Sequence, residues 1–105
     1  MNHLNMVQAE REYVRWLILS TLYNAAPLGA SESLVLSVIQ GVPVHVTAVQ
    51  VRKEMDYLAQ LALITINKPQ HHGIWHANIL PVGIDMVEYR ADCPVSIARP
   101  VKYWE

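Results

Sequence analysis

At 105 residues with 52% apolar side chains, the chain is read as one folded domain and not as a disordered segment. A net charge of −1 excludes the basic excess that displaces counterions in strong, non-specific DNA binding. A single cysteine, Cys93, excludes an internal disulfide framework. Glu10, Arg11, Glu12 and Arg15 exclude a signal-peptide core at this N-terminus, and Gln40, Gly41, Pro43, His45 and Gln50 make residues 34–51 a poor membrane span. The expected location is the cytoplasm.

In chain order, the spacing predicts a first helix from Met6 to Tyr23. Val14, Leu17, Ile18 and Leu22 form its stripe. Tyr13, Trp16, Leu19 and Tyr23 widen the apolar surface, so this helix is either central to the domain or meets a partner. Asn24 to Gly29 breaks it. Ser31 is a good N-cap, with Glu32 in the first turn where the helix dipole favours negative charge. Leu34, Val35, Val38 and Ile39 then suit a short buried helix that stops at Gly41. Val42 to Val46 alternates like a strand, but Pro43 argues for a turn between two helices.

Thr47 with Gln50 three residues on is a capping-box signature. Val51, Met55, Leu58 and Ala62 recur on one face of the helix that follows. Leu63 to Lys68 and Ile74 to Leu80 are β-type runs around a loop containing Pro69 and Gly73, which reads as a hairpin. Pro81 fits the first turn of a last helix that fades by Ala91-Asp92. The expected class is mainly α with a small β-hairpin, in the order helix, helix, helix, hairpin, helix. Residues 1–92 form the domain and 93–105 a C-terminal tail or arm, docked or loose.

A capped helix running directly into a strand, with Val51, Met55 and Leu58 followed by Ala62-Leu63-Ile64, resembles the recognition helix and first wing strand of a winged helix-turn-helix domain. The resemblance spans about residues 6 to 91. A narrower one, carried by Leu80-Pro81-Val82-Gly83 and Val95-Ser96-Ile97-Ala98-Arg99-Pro100, is to small winged-helix proteins of Mu-like phages and prophages. Ala62 stands where glycine is common, and Pro81 where threonine is. The resemblance implies a DNA-binding regulator of phage or prophage genes.

On that reading the candidate DNA contacts are Thr47, Gln50, Arg52 and Lys53, with Lys68, His71 and His72 on the wing. Gln suits adenine edges, Arg and Lys suit guanine or phosphate, and a helix N-terminus can hold a phosphate. Val49, Asp56, Tyr57 and Gln60 share the outward face. Glu54 and Asp56 cancel Arg52 and Lys53, so the competing reading is a protein–protein adaptor that does not bind DNA. A homodimer, through Tyr13, Trp16, Tyr23, Tyr103 and Trp104, would let two modest footprints add.

His71, His72 and His76, with His45 and Cys93, carry no metal-ligand spacing. Cys93 has no base beside it in sequence, no glycine-rich phosphate loop exists, and the carboxylates are scattered. The sequence therefore implies no enzyme, no cofactor and no metal.

Overall fold

The computed structural model describes residues 5–102. The elements are α1 (Met6–Ala25), β1 (Ala30–Ser31), α2 (Glu32–Gln40), α3 (Ala48–Gln60), β2 (Ile64–Asn67), β3 (His76–Ile79) and α4 (Pro81–Val87). The architecture is mixed α+β: four helices around a three-stranded antiparallel sheet of order β1-β3-β2.

Each helix start has a local cause. Asn5 Oδ1 accepts from the Gln8 N–H, Ser31 Oγ from the Leu34 N–H, and Pro81 supplies the preset φ of a first turn. Thr47 and Gln50 form the reciprocal box expected of them. Helix α3 ends in a Schellman motif. The Leu63 N–H reaches the Leu58 carbonyl and the Ala62 N–H reaches that of Ala59, which requires a left-handed residue; Ala62 takes φ +60°. The turn that glycine usually makes is thus made here by alanine.

Ile18, Leu19, Leu22, Val35, Ile39, Val51, Met55, Leu58 and Ile64 are fully enclosed in one core. Each such side chain contributes roughly 1.5–3 kcal/mol by leaving water. Helix α1 packs on α2, α3, α4 and β3, so its broad apolar surface is largely used inside the domain. The sheet registers Ile64 with Ile79 and Ile66 with Ala77. Helix α4 closes over it at Gly83, where a Cβ would stand 2.5 Å from the Leu63 carbonyl oxygen and 2.8 Å from Ile79.

Several boundaries differ from expectation. Strand β1 had no sequence signal, since two residues show no periodicity; it pairs Ala30 with Ala77 and Ser31 with His76. Helix α1 runs two residues beyond Tyr23. Helix α4 stops at Val87 instead of reaching Ala91, because Tyr89 enters the left-handed region at φ +62° and closes a second Schellman turn.

The C-terminal segment is docked as far as it is described. Ile97 lies in the core at 3% exposure. The Ala98 N–H donates to the Glu12 carbonyl, and Arg15 Nη1 to that of Ser96. Arg99 Nη1 donates to the carbonyls of Met86 and Ala91. This segment also corrects the reading of Tyr57 as outward. The Tyr57 hydroxyl donates to Ser96 Oγ at 2.6 Å, and its ring lies 3.8 Å under the Arg15 guanidinium, so the tail covers it. No helix among the described residues is long and apolar enough to cross a membrane.

Candidate functional site

The outward side of α3 and the β2–β3 loop form one surface, joined by side chains the sequence had marked for other tasks. Arg52 Nε and Nη2 each donate to a Glu32 carboxylate oxygen at 2.5 Å, and Nη2 also reaches the Gly73 carbonyl at 3.2 Å. Its guanidinium lies 4.5 Å from the Trp75 ring, and Lys68 Nζ lies 4.4 Å from the same ring. Lys68 in turn pairs with Asp56 at 2.7 Å. The Trp75 N–H donates to Glu32 Oε1 at 3.3 Å. The loop is therefore fastened to α2 and α3 at both of its ends.

These bonds set the electrostatics. Hydrogen bonding from Arg52 holds the Glu32 carboxyl below its ordinary range, against the opposing effect of partial burial. The same pair raises the Arg52 pKa. Arg52 and Lys68 are balanced, but by partners other than those a helical wheel suggests. Glu54 faces inward at 3% exposure and accepts from Arg15 Nε at 2.7 Å and Arg11 Nε at 3.0 Å, both on α1. Arg52 is answered by α2, and Asp56 by the loop.

Of the seven expected nucleic-acid contacts, Thr47 and Gln50 use an oxygen each on the capping box, which leaves the exposed Gln50 Nε2 free to donate. Arg52 and Lys68 are in ion pairs. Lys53 is exposed and has no ion-pair partner among the described residues. His71 and His72 are exposed at the loop tip with φ +60° and +66°, the two consecutive left-handed residues that a type I′ turn demands. Val49 is 69% exposed at the start of α3.

The expected interface residues are scattered. Tyr13 is partly exposed on α1, Trp16 is half-buried against the core, and the Tyr23 hydroxyl donates to Glu88 Oε2 at 2.5 Å, which raises the Tyr23 pKa. Tyr103 and Trp104 lie outside the described residues. Cys93 is half-buried, with burial pushing its thiol pKa up. No group of three His, Cys, Asp or Glu side chains among the described residues could hold a metal ion.

Sequence reasoning missed Trp75 and Glu32 as the elements that fasten the loop. The one available signal was Glu32 in a first turn, which reads equally well as a dipole-compensating charge. No family model, no curated protein and no solved structure matches this chain.

Proposed function

We propose that this chain is a winged helix-turn-helix protein that binds double-stranded DNA as a homodimer and regulates phage or prophage genes. In this reading α2 and α3 are the helix-turn-helix and the β2–β3 loop is the wing. The observation that carries it is the fastening of that loop to α3 through Arg52, Asp56 and Lys68. It holds the loop that carries exposed His71 and His72 against the helix that carries exposed Val49, Gln50 and Lys53, as a wing is held beside a recognition helix.

The pairing of its cations makes this a weak electrostatic binder. With Lys53 and Lys68 from each of two protomers on phosphate, log K falls by roughly 3.6 per decade of salt. Fluorescence anisotropy at low salt, with mixed-sequence and prophage duplexes, tests the proposal. Binding at micromolar protein, weakened by Lys53→Glu, is the expected result. No binding by the wild type under these conditions refutes it. Light scattering tests the dimer separately.

The second reading is a protein–protein adaptor on the same fold. It is favoured by the ion-paired cations together with exposed Val49 and Ile74. Under it, DNA leaves the anisotropy unchanged, and Val49→Lys abolishes capture of the partner protein.

A further inference from the structure

Seven of the eight Lys and Arg residues of this chain are engaged. Arg11, Arg15, Arg52, Lys68 and Arg90 are in ion pairs, Arg99 donates to two main-chain carbonyls, and Lys102 Nζ lies 5.6 Å over the Tyr89 ring. Lys53 is the exception among the described residues, and it stands on the rim of a cleft.

The cleft encloses about 260 Å³ between the N-terminal halves of α1 and α3, bordered by His45 and Val46 of the segment that joins α2 to α3. Val7, Val14 and Val46 form an apolar wall. Lys53 and Arg11 supply the cationic side, next to His45. Arg11 uses its Nε on Glu54, and its side chain is 46% exposed, so its Nη groups remain available to donate. Glu54 is held from within by Arg15. The two arginines exceed Glu54 by one charge, and Lys53 offsets Glu10, the other carboxylate of the lining. The charged side chains of the lining thus sum to zero, and Arg15, buried behind Glu54, adds one positive charge to the wall.

We propose that this cleft binds a small organic carboxylate. The carboxylate sits between Lys53 Nζ and the Arg11 Nη groups, whose planar fork matches its geometry. The apolar body lies on the valine wall. An inorganic anion leaves that wall in water, and a neutral molecule leaves Lys53 unanswered. The volume suits a ligand of fewer atoms than a drug-sized molecule. Lys53 also belongs to the proposed DNA face, but binding of the carboxylate does not depend on that reading.

Amide NMR titration of the full chain with benzoate, benzyl alcohol and inorganic phosphate at matched ionic strength tests the proposal without DNA. Benzoate is expected to give saturable shifts at Val7, His45 and Lys53, with a Kd on the order of 1 mM. Benzyl alcohol is expected to bind about ten-fold more weakly, and phosphate to show no saturation. Lys53→Gln, at an exposed position, is expected to keep its melting temperature and weaken benzoate about five-fold. Any one of three results overturns the proposal: unsaturable benzoate shifts, equal binding of benzyl alcohol or phosphate, or wild-type affinity in Lys53→Gln.

Discussion

Glu32 and Arg52 meet through two parallel hydrogen bonds, Nε to Oε2 and Nη2 to Oε1, each 2.5 Å long. The pair links the first turn of α2 to the second turn of α3, and Arg52 carries the link on to the Gly73 carbonyl. It therefore fixes how the two helices and the loop stand relative to one another. A bidentate pair holds such an angle better than a single contact, because both planar groups are oriented.

The pair has a pH signature. In the folded chain the Glu32 carboxyl ionises below its ordinary value of 4.5, chiefly because Arg52 bonds to the charged form. A depressed carboxylate pKa stabilises the fold above the unfolded value, and that contribution is lost as the pH falls through the lower, folded value. Wild-type urea midpoints are expected to drop below pH 4.5. Glu32→Gln is expected to start lower at pH 7 and to show a shallower acid decline. An equally steep decline in the variant assigns the acid sensitivity to other carboxylates.

Glu54 and Arg15 form the most enclosed ion pair among the described residues, with side-chain exposures of 4% and 7%. Removing one partner strands a buried charge. Glu54→Leu is expected to cost about 3–5 kcal/mol in urea unfolding. In the double variant Glu54→Leu with Arg15→Met, most of that loss is expected to return, since neither charge is then left alone. Additive losses in the double variant would show that the pair contributes through packing on Tyr57 and Ser96 instead of through charge.

What could be read from the sequence was what depends on near neighbours. The Thr47–Gln50 box, the Ser31 cap and the Val51-Met55-Leu58 stripe each need only a few residues of chain, and each is present in the fold. The partners of the charges could not be read in this way. Arg15 and Glu54 are 39 residues apart, and Arg52 and Glu32 are 20 apart. Which carboxylate an arginine meets depends on which helices touch, and helical periodicity says only which way a side chain points. Tyr57 shows the same limit: the wheel placed it opposite the core, and the tail then folded over it. The outward face was legible as a set of residue types, but the expected cancelling of Arg52 and Lys53 by Glu54 and Asp56 does not occur: Glu54 turns inward, Arg52 and Asp56 pair elsewhere, and Lys53 is unpaired among the described residues.

Ile97 tests the tail. It is 3% exposed although it lies ten residues past the last helix, which ends at Val87. Ile97→Ala is expected to destabilise the chain by roughly 2–5 kcal/mol, as for a core isoleucine. It is also expected to raise the accessibility of Tyr57, read by solvent perturbation of its absorbance. A loss below about 0.5 kcal/mol, the scale of an ordinary surface change, would mean that the segment is dispensable for the fold.

Ala62 bears a conformation that side chains disfavour. Its φ of +60° is imposed by the Schellman turn that passes the chain from α3 into β2. A left-handed conformation costs an L-residue about 1–2 kcal/mol, whereas glycine is free of that penalty but loses more backbone entropy on folding. Ala62→Gly is accordingly expected to gain roughly 0.5–1 kcal/mol in urea unfolding. A loss of stability would mean that the exposed methyl makes contacts worth more than the strain.

The loop tip allows stability and function to be separated. His71 and His72 occupy two successive left-handed positions, where Asn-Gly is the favoured pair. Relieving that strain with His71→Asn and His72→Gly is expected to stabilise the chain by roughly 1 kcal/mol. The same change removes both exposed imidazoles from the proposed wing. If these rings contact phosphates, the variant binds duplex DNA more weakly in anisotropy while melting at a higher temperature. Strain kept at two adjacent exposed residues is then explained by what their side chains do. A variant that is more stable and binds DNA as the wild type does would remove the histidines from the interface, leaving Gln50 and Lys53 on α3, with Lys68 at the base of the loop, as the remaining polar contacts.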